Sequence, residues 1–163
     1  MPVLFNALVL VSLLAYAVLG GVFLIFSDVL MRSFALVPPP AGVEAMQVIN
    51  REIFRRAFIP VFFAAVALSL LLGAGALVLG APQSGLILAA ALLYLLGCFA
   101  VTGLGNVPLN ETLATFPDGS AGAQAFWVER YLPDWTRLNT LRTGACLAAA
   151  ALLALWVGLR LSD

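Results

Sequence analysis

The chain has 163 residues, 63% of them hydrophobic and 10% charged, with a mean hydropathy of +1.08. A soluble domain carries about 25% charged residues, so the composition excludes an ordinary soluble fold and points to an integral membrane protein. Eight Arg balance eight acidic residues to zero net charge, which gives no basis for expecting a nucleic-acid partner.

In chain order, Met1 to Ser27 has no charged side chain. It is longer than a typical signal-peptide apolar region and lacks a basic leader, so it reads as a retained helix. Ala57 to Asn110 is also uncharged, and its 54 residues are enough for two crossings, divided by the turn chemistry of Gly80-Ala-Pro-Gln-Ser-Gly85. Thr143 to Leu159 is a further uncharged run. With about 20 apolar residues needed per crossing, the expected architecture is all-α. It is one integral membrane four-helix bundle spanning residues 1–163, with transmembrane helices at about 3–26, 58–79, 86–106 and 138–160.

The charges fall into two segments. Residues 28–56 hold seven and residues 111–142 hold seven, fourteen of the sixteen in the chain. Both segments follow an odd-numbered span, so the two polar loops share one side. Seven of the eight Arg are there, which by the positive-inside rule makes the loops cytoplasmic and both termini external, as in a bacterial-type inner membrane. Arg160 and Asp163 fall on the other side.

Both loops have the features of structured segments. Pro38-Pro39-Pro40 reads as a stiff polyproline turn, followed by a helix over Val43–Arg56 with Glu44, Gln47, Arg51 and Arg55 on one stripe. Pro60 breaks or restarts the helix at the second span. Ala121–Tyr131 reads as a short interfacial helix, with Pro133-Asp134 in the first turn of the fourth helix. Trp135, Asn139, Arg142 and Cys146 then form a stripe running into the membrane. Pro108 is expected to end or kink the third helix near Gly105-Asn106. The simplest reading makes Asn106 and Asn110 caps for the interrupted helix.

A second reading treats these amides as part of a site. Asn106, Asn110 and Glu111 emerge on the same side as Asp28, Arg32, Gln47, Asn50, Arg51, Trp135, Asn139 and Arg142. Polar groups at membrane depth mark functional sites unless they pair, and a bundle with such a mouth encloses a pocket that is apolar below and polar at the rim. The chain has no His, the commonest general base and metal ligand. Cys98 and Cys146 lie 48 residues apart without a CxxC motif, which argues against a dithiol oxidoreductase.

Four segments, FSDVLMRSF, MQVINREIF, GNVPLNETLA and WTRLNTLR, resemble the DUF1772 family, which includes the fungal anthrone oxygenases. NVPLN and W-T-R-x-N-x-x-R are the most specific. The resemblance runs from Gly20 to Arg142. It implies oxidation of an anthrone-like tricyclic phenol to the quinone by molecular oxygen, with no dedicated cofactor. A carboxylate would take a proton from the reactive CH2, and Arg and Asn would hold the enolate oxygen. On that basis the candidate catalytic residues are Asp28 or Glu111 as base and Arg51 and Arg142 as oxyanion stabilisers. Gln47, Asn50, Asn106, Asn110, Trp135 and Asn139 are candidate substrate contacts, and no metal site is expected. The implied partners are a small lipophilic aromatic molecule and the bilayer. The alternative is a non-catalytic membrane protein that binds or carries a small lipophile. A metal-dependent enzyme ranks third, because its ligands would have to be carboxylates, amides or thiols.

Overall fold

A computed structural model describes residues 3–81 and 83–162; Met1, Pro2, Pro82 of the second turn and the terminal Asp163 lie outside the described residues. The fold is all-α. Five helices form: α1 (Val3–Leu36), α2 (Pro39–Glu52), α3 (Phe58–Val78), α4 (Ser84–Ala114) and α5 (Ala121–Leu161). All but α2 are long and apolar enough to cross a membrane, so the chain is a multi-pass integral membrane protein. The four pack in a ring in which α1 contacts α3 and α5, and α4 contacts α3 and α5. The short α2 lies across the polar end, against the upper turns of α4 and α5.

The spanning helices follow from lipid chemistry. Outward Leu10, Leu14, Leu70, Leu71 and Leu96 stay exposed because lipid, not water, is their solvent. Inward positions close on small residues. Gly20 faces the Leu147 and Cys146 side chains, Gly75 faces the Phe5 ring, and Gly97 faces Ala145. The α3–α4 turn closes with Gly80 at φ 57 and Ala81 N donating to Ala76 O at 3.2 Å, a Schellman cap.

The core has two parts. The larger lies within the spans and includes Tyr16, Tyr94, Leu72, Cys98, Cys146 and Trp156. The smaller lies under α2 and is built from Met31, Val43, Met46, Leu113, Trp127, Tyr131 and Trp135.

Three of the expected helices end in different places. α4 does not stop at Gly105-Asn106; it runs on to Ala114. Pro108 is accommodated because the backbone widens into π-turns over Leu93–Ala100 and Thr102–Asn106 just before it. α5 begins at Ala121 instead of near 138, so the interfacial helix and the fourth span are one helix. Pro133 sits inside it, directly after a π-turn at Trp127–Tyr131. α1 likewise continues past residue 26 through a π-turn at Phe26–Leu30. The prolines at 39 and 40 open α2 in place of forming an extended turn, since their fixed φ suits a first helical turn.

Candidate functional site

The unbroken α4 changes the role of the asparagines. Asn106 and Asn110 cap nothing; they reach across to α5. Asn106 Nδ2 donates to the Trp135 carbonyl at 3.2 Å. Asn110 Oδ1 accepts from Trp135 Nε1 at 2.9 Å and from the Tyr131 hydroxyl at 2.8 Å. Asn50 Nδ2 of α2 donates to the same hydroxyl at 3.3 Å. One amide oxygen thereby fixes the orientation of two aromatic rings.

Below this clasp lies a cavity of about 370 Å³, within the range of small-molecule sites. Its apolar walls include Phe23 and Phe26 of α1 and Phe58 and Phe62 of α3, with Ile53 and Phe54 at the mouth. Its polar wall is two stripes that helical periodicity brings face to face: Thr102, Asn106 and Asn110 on α4, and Trp135, Asn139 and Arg142 on α5.

Arg142 dominates the electrostatics. It is only 6% exposed. Its guanidinium donates to Asn139 Oδ1 at 2.5 Å and Thr102 Oγ1 at 3.2 Å. It lies 4.4 Å from the Phe23 ring centre and 5.2 Å from that of Trp135. No carboxylate pairs with it among the described residues. Its Nε is buried without a hydrogen-bond partner, as is Asn106 Oδ1 on the facing stripe. A buried cation costs several kcal/mol unless paired, and unpartnered buried polar atoms are rare. Each of the two facing stripes thus carries one buried polar atom that the protein itself leaves unpartnered. Asn139 has nothing to spare, because its Nδ2 already donates to Phe23 O and Ser27 Oγ, both at 2.6 Å. Its role is to hold Arg142 in place.

Six of the ten sequence candidates line this cavity: Asn50, Asn106, Asn110, Trp135, Asn139 and Arg142. Four do not. Asp28 lies exposed beside Arg32 at 3.6 Å. Arg51 and Glu111 are exposed, each one residue beyond an inward-facing Asn; a single helical step of about 100° turns them away from the cavity. Gln47 is buried, but it braces the loop: Nε2 donates to Leu113 O at 3.0 Å and Phe116 O at 3.3 Å, where α4 runs out of intrahelical partners.

Three polar lining residues, Thr102, Glu52 and Arg56, were not among the site candidates. Thr102 belongs to the α4 stripe four residues before Asn106, a spacing that would have revealed it. Glu52 is the one carboxylate in the cavity lining among the described residues. It pairs with Arg55 at 3.0 Å and Arg56 at 3.3 Å, and reads from sequence as a solvated ion pair. Cys98 and Cys146 are buried neighbours, with Cys146 one turn below Arg142. Among the described residues no three of His, Cys, Asp and Glu gather as metal ligands.

The anthrone oxygenase family matches the chain over residues 51–152. That range takes in both polar stripes and the Glu52 rim. No curated protein and no solved structure is similar to the chain. The chain belongs to the anthrone oxygenase family, also designated DUF1772.

Proposed function

We propose that this protein is a membrane-embedded oxygenase that oxidises a lipophilic, anthrone-like ring compound with molecular oxygen. The observation that carries the reading is Arg142, a buried cation in the polar wall of a mostly apolar cavity, with no carboxylate partner among the described residues and an unpartnered Nε–H. Such a group suits a ligand that is flat, apolar and anionic at one oxygen. An anthrone becomes that ligand when its CH2 loses a proton, because the charge spreads to the carbonyl oxygen. Arg142 stabilises that oxyanion, and Asn106 Oδ1 accepts from a neighbouring phenolic hydroxyl. Glu52, at the rim, takes the proton in place of Asp28 or Glu111. Oxygen then bonds to the carbanion carbon. The resulting hydroperoxide loses water as the second C–H bond breaks, so CH2 plus O2 gives C=O plus H2O and no external reductant is consumed.

The substrate reaches the cavity from the bilayer, and the seven-Arg side of the molecule faces the cytoplasm. One observation favours a second reading, a carrier of small lipophiles: the Glu52 carboxylate is already engaged by two arginines. Oxygen uptake and quinone formation by the purified protein with anthrone separate the two. The oxygenase produces quinone above the spontaneous rate and Arg142→Gln abolishes the excess. A carrier binds anthrone without accelerating its oxidation.

A further inference from the structure

A second groove, of about 310 Å³, lies on the outer surface between α1 and α5, away from the cavity. Met31, Arg32 and Ala35 form one side; Pro133, Thr136 and Arg137 belong to the other. Arg137 makes no ion pair among the described residues. Arg32 has only Asp28, at 3.6 Å and with both side chains mostly in solvent. The groove is therefore locally cationic on a protein of zero net charge. Its height is also defined. Arg32 is five residues beyond Ser27, where the uncharged run of α1 ends; at 1.5 Å per residue that is roughly 8 Å, the level of lipid headgroups.

The threonines narrow the ligand further. Thr136 Oγ1 donates to Leu132 O at 2.6 Å, and Thr140 Oγ1, also in the groove, lies between Thr136 O at 2.9 Å and Ser27 Oγ at 3.1 Å. With its proton turned into the helix, Thr136 Oγ1 presents only lone pairs outward. The groove thus combines two guanidinium donors with a hydroxyl acceptor over an apolar floor that includes Met31.

We infer that this groove is a binding site for an anionic phospholipid with a hydroxylated headgroup, of the phosphatidylglycerol kind. Arg32 and Arg137 hold the phosphate and Thr136 Oγ1 accepts from a headgroup hydroxyl.

The test is native mass spectrometry of the delipidated full chain in detergent, titrated separately with phosphatidylglycerol, phosphatidic acid, phosphatidylcholine and inorganic phosphate. Phosphatidylglycerol is expected to bind at one site, ahead of phosphatidic acid, which lacks the hydroxyls, and well ahead of phosphatidylcholine. Its affinity falls about thirtyfold in the R32Q/R137Q variant, at roughly one surface-lipid interaction per Arg. The charge-matched R51Q/R55Q variant binds like wild type, which separates a site from general attraction. Equal binding of phosphatidylcholine, or equal loss in both double variants, would overturn the site. Phosphatidic acid binding as tightly as phosphatidylglycerol would overturn the hydroxylated headgroup, and displacement of the lipid by inorganic phosphate at equal concentration would overturn a lipid source.

Discussion

The deep half of the bundle and its polar end treat buried polar groups in opposite ways. In the deep half every such side chain among the described residues has a partner. Ser12 donates to Leu8 O, Tyr94 to Phe62 O, and Tyr16 shares a 2.7 Å hydrogen bond with Ser69, which also donates to Ala65 O. At the polar end three buried side-chain atoms of the described residues have none: Gln47 Oε1, Asn106 Oδ1 and Arg142 Nε. Two of the three residues line one cavity. Unpartnered polar atoms inside a protein lower its stability. Their confinement to one end separates a part built for packing from the part to which we assign the ligand.

Substitutions on either side should break this contrast in opposite directions. The largest effect on activity belongs to Arg142→Leu. Steady-state quinone formation should fall about 10²- to 10³-fold, the range for losing an oxyanion donor. The thermal midpoint in detergent should hold or rise, because a desolvated, unpaired charge has been removed. The converse is Gly97→Val in the deep half. A Cβ there would stand 2.6 Å from the Ala145 Cβ, so stability should drop by about 1–3 kcal/mol while activity per folded molecule is retained; denaturation followed alongside activity reads both.

Smaller effects sharpen the boundary of the site. Trp135→Phe keeps a ring but loses the indole hydrogen bond to Asn110. KM should rise about fivefold, the equivalent of one hydrogen bond of ~1 kcal/mol, with kcat little changed. Asp28→Asn and Glu111→Gln should alter kcat/KM by less than about twofold, since both carboxylates are exposed and outside the cavity. A large loss in either would return the base to the position expected from sequence and remove it from Glu52.

Much of the fold was legible because lipid imposes it. Long uncharged runs read as spans, and both charged segments follow an odd-numbered span, which puts the two loops on one side. Helix ends were not legible at Pro108 and Pro133. Proline forbids an α-helical bond, but a π-turn one step earlier absorbs the misfit, and no residue pattern announces a π-turn. The same hidden continuity disguised the asparagines as caps. The α5 stripe was legible, because spacing alone puts Trp135, Asn139, Arg142 and Cys146 on one face, and all four are buried. Asp28 and Glu111 were chosen for chemistry without regard to face, and Arg51 was put on the stripe of Gln47; Gln47 is buried but all three charged residues are exposed. Glu52 was hidden by its neighbours: a carboxylate beside two arginines reads as a surface pair, and only the folded elbow at Ile53–Arg55 brings it to the cavity mouth.

The central claim is that Arg142 holds the ligand as an oxyanion. Its most direct test is an anaerobic absorption titration of the purified protein with anthrone, at a pH where free anthrone is neutral. Without oxygen, ionisation is read apart from turnover. The account predicts that the anthrolate band appears on binding to wild type and is absent with Arg142→Gln, although the variant still binds. Neutral anthrone bound to both proteins, or an anion band of equal strength in both, would contradict it.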